Sequence, residues 1–201
     1  MSRKFLNPDN PLMITLSQIS DVIFLSLFYL LCSFPVVTAG ASAAALYDSS
    51  FRAFRQGDRN SWQRFFAVFR KNLKNSILPA VVYAICFFAI AKLVISLWNG
   101  LAAGEIGFAL FSAGAFAAVW LLGIISIIFP MLSRFENSFG QLMKNSLFLS
   151  FANLPRSFAL GLVKAVCIFL CVRFIVPIFF MPALGALLAT LFIEPMFKPY
   201  M

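Results

Sequence analysis

The stretch ILPAVVYAICFFAIAKLVISLW, residues 77–98, decides the fold class because its 22 residues carry a single charged side chain, that of Lys92. About 20 apolar residues in a helix are long enough to cross the roughly 30 Å hydrocarbon core of a bilayer. A helix also satisfies its backbone hydrogen bonds within the segment, as lipid requires. Residues 77–98 are therefore predicted to form a transmembrane helix.

The rest of the chain has the same character. Of its 201 residues, 62% are apolar and 11% are charged, whereas about a quarter of the residues in a soluble protein are charged. Three further segments are apolar over nearly the required length, residues 106–131, 158–176 and 178–193. The sequence therefore predicts an all-α, polytopic membrane helical bundle that forms a single integral membrane domain over residues 1–201.

The N-terminal region can cross the membrane in two ways. Residues 14–34 form an apolar segment interrupted by Asp21, Pro35 breaks it, and residues 38–54 continue as a helix rich in small residues. Lys and Arg near span ends mark the cytoplasmic side. Residues 48–76 contain seven bases and two acids, and Arg3 and Lys4 precede the first apolar segment. A hairpin places both basic stretches on the cytoplasmic side, whereas a single bent span separates them.

The hairpin therefore leads to six transmembrane helices with cytoplasmic N- and C-termini, and five helices with an outer N-terminus is the alternative. In the six-helix arrangement the chain divides into an N-terminal helical hairpin, a cytoplasmic basic amphipathic segment, a helix pair, a second cytoplasmic segment and a second helix pair. These are residues 14–54, 55–76, 77–131, 132–157 and 158–194.

The first cytoplasmic segment contains a basic amphipathic helix. Aromatic and basic side chains recur on opposite sides at helical spacing: Trp62, Arg64, Phe65, Phe69, Arg70, Lys71 and Lys74. Such a helix lies at the headgroup level, with its aromatic side chains in lipid and its bases near the anionic inner leaflet. The alternative role is a docking surface for a protein partner. Nucleic acid is not expected as a partner despite the net charge of +9, because these bases alternate with aromatic residues beside the spans.

Two charged residues fall well inside predicted spans. An ionised group at bilayer depth costs several kcal/mol unless it is paired or hydrated. Asp21 and Lys164 both lie roughly 10 Å from the cytoplasmic end of their spans, at 1.5 Å per residue. We hypothesise that they form an ion pair that clamps the first helix to the fifth.

The composition argues against most enzymatic chemistry. The chain has no His, and its four Cys lie in apolar runs without a CxxC pair, so zinc and cysteine–histidine sites are not expected. Phosphate-binding loops and GxSxG elbows are also absent. We therefore predict no catalytic residues, no cofactor and no metal, and expect a non-enzymatic protein.

Small residues on and just before the helix predicted at 106–131 indicate close helix packing. They are Gly104, Gly107, Gly114 and Gly123, with Ala113, Ala115, Ala117 and Ala118. Such a face can also form the interface of a homo-oligomer. A short internal similarity is also present, because residues 64–76 match residues 134–146 at six positions with a constant offset of 70. Two explanations of this similarity are open, chance or an internal duplication of the chain.

Several motifs together resemble a known family. They are Asp21, LCSFPVVTAGA at 31–41, ALY at 45–47, RFENS at 134–138 and NLP at 153–155. These residues are similar to the YesL-like family of small bacterial integral membrane proteins, a domain of unknown function, and the resemblance covers most of the chain.

The resemblance implies a location in the bacterial cytoplasmic membrane and an association with carbohydrate uptake or its sensing. The first function hypothesis is therefore a non-enzymatic accessory or scaffold component. The partners it implies are permease subunits of a sugar transporter or a sensor subunit, beside the lipid bilayer itself. The resemblance implies no established activity. The alternative function is a small oligomeric transporter or channel for a small solute, with Asp21, Lys164 and residues 38–42 along its path.

Overall fold

The computed structural model describes residues 11–58, 60–104, 107–135 and 138–198. Arg3, Lys4, Arg59 and Glu136, which entered the charge and motif analysis, lie outside the described residues. Within these ranges the chain forms eight α-helices and a short 3-10 helix over Val176–Phe179. The α-helices are α1 Pro11–Ser33, α2 Val36–Arg55, α3 Ser61–Asn72, α4 Ile77–Ala102, α5 Phe108–Arg134, α6 Phe139–Ala152, α7 Leu154–Arg173 and α8 Met181–Phe197.

The predicted all-helical membrane architecture is confirmed. Three helices, α4, α5 and α7, are long and apolar enough to cross a bilayer, and residues 17–33 of α1 and the whole of α8 form shorter apolar helices. The chain is accordingly a helical membrane protein. The number of spans, the inner and outer sides and the single-domain boundary stay predictions.

The chain reverses direction at Phe34 and Pro35, which join α1 to α2, and the two helices pack against each other. Proline lacks the backbone N–H that a helix interior uses, so it is suited to this break. The Thr38 hydroxyl donates to the carbonyl oxygens of Cys32, at 2.6 Å, and Pro35, at 2.9 Å. The hydroxyls of Ser33 and Ser42 are 2.6 Å apart and hydrogen-bonded. The geometry is that of a helical hairpin.

Helix α2 is the centre of the bundle and contacts α1, α3, α4, α5 and α8. From Gly40 to Ser50 every residue except Ala43 is buried. Its small side chains allow neighbours to approach closely: a Cβ at Gly40 would lie 2.9 Å from both the Phe129 ring and the Ser76 carbonyl oxygen. Helix α2, the least apolar of the long helices, is therefore surrounded by other helices of the protein.

A close helix crossing joins α5 and α7. A Cβ at Gly123 would lie 2.0 Å from the Ser157 carbonyl oxygen, and a Cβ at Gly161 would lie 1.9 Å from the Val119 carbonyl oxygen. The close packing predicted for this face is therefore confirmed at Gly123. Gly104 and Gly107 do not contribute, because both lie between α4 and α5 with no atom near enough to meet a Cβ.

We predict that Gly123→Ala lowers the free energy of unfolding by about 1–3 kcal/mol, because a methyl group there overlaps backbone that cannot move cheaply. The measurement is equilibrium unfolding of the purified protein in mixed micelles. Gly140→Ala is the matched control, because Gly140 is helical and has no atom near its added Cβ; it should be neutral or slightly stabilising. Equal effects of the two substitutions would contradict the proposed crossing.

Candidate functional site

The most deeply buried charge among the described residues is the carboxylate of Asp48 on α2, which is 1% exposed. The Arg64 Nε of α3 donates to its Oδ2 at 2.7 Å. The Arg52 Nε, one turn along α2, is 3.4 Å from the same oxygen, and Arg134 Nη1 of α5 is 3.8 Å from Oδ1. A buried carboxylate needs such compensation, because desolvating one ion costs several kcal/mol.

Arg134 connects this carboxylate to a second one. Its Nη2 donates to Glu194 Oε1 of α8 at 2.7 Å, and its guanidinium lies 4.2 Å from the centre of the Phe51 ring. The Tyr47 hydroxyl donates to the same Glu194 oxygen at 3.0 Å. We call Tyr47, Asp48, Arg52, Arg64, Arg134 and Glu194 the buried ionic network. It joins α2, α3, α5 and α8 at one end of the bundle.

This network was not predicted from the sequence. Asp48 was assigned to the basic stretch at 48–76, and Arg134 fell in the predicted second cytoplasmic segment at 132–157. Two signals were present: Asp48 and Arg52 are four residues apart, the spacing of ion pairs on one helix face, and Arg64 and Arg134 are equivalent at the 70-residue offset. The structure brings these two equivalent arginines to the same carboxylate. The equivalent serines, Ser76 and Ser146, also donate alike, each to a carbonyl three residues earlier.

Helix α3 differs from its predicted orientation. Phe65, expected to face lipid, is 0% exposed, and its ring lies 6.1 Å from that of Phe28 on α1 and 6.2 Å from that of Phe69. Phe66 adds a further contact, 5.2 Å from Phe28. The Arg64–Asp48 pair holds α3 against α2. This orientation packs the aromatic face of α3 on the α1–α2 hairpin. The prediction that these phenylalanines anchor α3 in lipid is therefore wrong for Phe65.

The remaining predicted residues of α3 and its C-terminal turn point outward. Trp62 is 55% exposed, and Arg70, Lys71 and Lys74 are exposed. We call Trp62, Arg70, Lys71 and Lys74 the basic face. Arg64 is not part of it, because its guanidinium binds Asp48.

The predicted clamp between Asp21 and Lys164 is not formed, since within the described ranges these two side chains make no ion pair. Helix α1 packs on α2, α3 and α8, and α7 packs on α5, α6 and α8. Asp21 and Lys164 were predicted at the same depth, but they do not meet because α1 and α7 do not pack on each other. Both helices pack on α8 instead. Asp21 lies within hydrogen-bonding reach of Ser61, and Lys164 lies near Cys167.

Lys164 instead lines a cavity of about 430 Å³ bordered by α1, α2, α4, α5, α7 and α8. Most of the lining is apolar, and its polar side chains include the hydroxyl groups of Tyr29, Tyr47, Tyr83 and Ser126. Among the lining residues, Lys164 is the only one with a charge. Tyr47 belongs to both sites, because it lines this cavity and donates to Glu194 of the buried ionic network.

Cys167 and Cys171 line the same cavity as Lys164 on one face of α7. In the described part of the chain, no group of three or more His, Cys, Asp or Glu side chains is placed to hold a metal ion. The described side chains therefore offer ion pairing in the buried ionic network and a mostly apolar cavity that contains one lysine.

Comparison with known proteins gives one family. The family described as "Protein of unknown function, DUF624" matches residues 22–92, which is 71 of the 201 residues and is consistent with the YesL-like resemblance. The matched segment includes Asp48 and Arg64 but ends before Arg134 and Lys164. No curated protein and no solved structure matches the chain.

We predict that Asp48→Asn destabilises the protein by about 3–5 kcal/mol, because removing one partner of a buried ionic group leaves the opposite charges uncompensated. The measurement is equilibrium unfolding in mixed micelles. Asp58→Asn serves as the control: Asp58 lies near the end of α2, and its Oδ1 accepts from the Asn60 backbone N–H, a bond that asparagine can also make. A loss below about 1 kcal/mol for Asp48→Asn would show that the network does not hold the helices together.

Proposed function

We propose that this chain is a non-enzymatic accessory or scaffold component of the bacterial cytoplasmic membrane, linked to carbohydrate uptake or its sensing. The observation that carries the docking role is the placement of α3, which is anchored on one side and basic on the other. The link to carbohydrate rests on the family resemblance.

The anchored side of α3 supports a rigid docking element. Ser61, Phe65, Val68 and Asn72 form its buried stripe, and the Arg64–Asp48 pair attaches its first turn to α2. A surface held in this way loses little conformational entropy on binding, which favours recognition of a partner.

The basic face defines the partner's chemistry. An exposed indole beside exposed bases suits a protein with an acidic, partly apolar surface, since complementary charge guides association and Trp and Arg are frequent in interface hot spots. We propose that this partner is a cytosol-facing surface of a transporter permease or sensor subunit. The anionic inner leaflet is the competing occupant of the same face.

The polar groups of the buried ionic network support a structural, non-enzymatic role. Asp48 and Glu194 are already engaged by arginine side chains and a tyrosine hydroxyl. Neither carboxylate lines the cavity, so neither is placed beside a bound molecule there.

The docking proposal is tested by affinity purification from native membranes in mild detergent, followed by quantitative mass spectrometry. We expect a permease or sensor subunit to co-purify, and the double substitution Arg70→Gln, Lys74→Gln to lower its recovery at least fivefold. Phe65→Ala is unsuitable because Phe65 is a core residue. Lys198→Gln is the control, because Lys198 is an exposed base at the end of α8, the helix that carries Glu194.

Unchanged recovery with the double substitution would contradict this proposal. If the purified double-substituted protein in detergent also bound anionic lipid more weakly than wild type, the basic face would be assigned to lipid.

A second function, a small oligomeric transporter or channel, is favoured by one observation, the cavity that contains Lys164. Asp21 does not line this cavity, whereas Ala39 and Gly40 of the predicted path do. Uptake of a radiolabelled sugar into liposomes containing the purified protein, above protein-free liposomes, would favour transport over docking.

A further inference from the structure

Lys164 occupies an unusual electrostatic position. It is ten residues from the first residue of α7, about 15 Å along the helix axis, and so lies well inside a helix that is long and apolar enough to cross a bilayer. Its ammonium makes no ion pair or hydrogen bond with any side chain in residues 11–58, 60–104, 107–135 and 138–198. An ammonium at this depth costs several kcal/mol unless an anion or water accompanies it.

The cavity walls suit a hydrocarbon chain. Around Lys164 they include the side chains of Phe87, Phe129 and Ile168, and the volume of about 430 Å³ lies in the range of small-molecule sites. This volume is at the lower end of that range, which favours one acyl chain over the two chains of a phospholipid.

The cavity reaches the side of the bundle between α4 and α7. Two of its lining residues, Phe88 on α4 and Val172 on α7, are 66% and 82% exposed. Both helices are long and apolar enough to span the bilayer, so their outer surfaces face lipid. A molecule dissolved in the membrane can therefore enter the cavity without crossing water.

We propose that this cavity binds a single-chain amphiphile with a carboxylate headgroup, of the fatty-acid class. The carboxylate pairs with the Lys164 ammonium, the hydroxyls of Tyr29 and Tyr83 offer further hydrogen-bond donors, and the chain lies against the apolar walls. The charge pair accounts for the cation at this depth, and the apolar walls account for the cavity around it. This inference is independent of partner docking through the basic face.

The test is binding of radiolabelled oleate to the purified full chain in detergent, with unlabelled competitors. We expect saturable binding that oleate displaces at least tenfold better than oleyl alcohol, which has the same chain without the charge. Lys164→Met should weaken oleate binding at least tenfold, and Lys164→Arg should retain it within about threefold. Lys92→Met, which removes an exposed lysine of α4, is the control for the loss of a positive charge.

A second pair of variants tests the cavity without altering the charge. Ala84→Phe fills the space beside Tyr83 and should abolish oleate binding, whereas Ile85→Phe should not, because Ile85 is 64% exposed and does not line the cavity. Equal binding by wild type and Lys164→Met, or equal displacement by oleate and oleyl alcohol, would overturn the proposal. Stronger displacement by phosphatidylglycerol than by oleate would overturn the single-chain assignment.

Discussion

The structure depends on the burial of one negative charge, that of Asp48, inside a helix that other helices surround. A carboxylate in this position requires positive groups that reach it through protein, and they come from α2 itself, α3 and α5. Arg134 then requires a second acid, which α8 supplies through Glu194. Each pair restricts where a helix can lie, so the ionic groups determine which helix ends meet.

The ionic network and the small residues of α2 solve complementary problems. In lipid, apolar contact alone gives helices little reason to choose one neighbour over another, and close packing and polar contacts do so. The run from Gly40 to Ala45 allows close approach along the middle of α2, and the carboxylate of Asp48 lies one turn further on. Gly123 and Gly161 allow the same approach between α5 and α7. Shape therefore selects the distance between helices, and charge selects the rotation of each helix about its axis.

Much of the fold was predictable because it depends on local composition. The apolar run at 77–98 predicts α4, observed from Ile77 to Ala102, and Pro35 predicts the turn between α1 and α2. The last apolar segment was predicted to begin at residue 178, but α8 begins later, at Met181. A 3-10 helix that contains Pro177 precedes it, and Pro182 lies in the first turn of α8. The predicted cytoplasmic segment at 132–157 contains the whole of a further helix, α6.

The candidate sites were less predictable because they depend on which helices become neighbours. Tyr47 and Glu194 are 147 residues apart, and Arg134 and Glu194 are 60 residues apart. No local periodicity reports such pairs. The depth of Asp21 and Lys164 could be estimated by counting residues, but the direction in which each side chain points around the bundle could not. The same limitation applied to α3, where periodicity identified two faces without showing that α1 and α2 cover the aromatic one.

The order of the network's members along the chain has a consequence for biosynthesis. Asp48 and Arg52 leave the ribosome together within α2, Arg64 follows shortly afterwards, and Arg134 emerges only after α4 and most of α5. Glu194 is made last. Nascent chains of increasing length therefore hold Asp48 with one, then two, then three guanidinium groups, and Arg134 gains its own carboxylate only when α8 has been synthesised. Helix α8 is thus the element that completes charge neutralisation, and the buried ionic network is complete only after α8 has been synthesised.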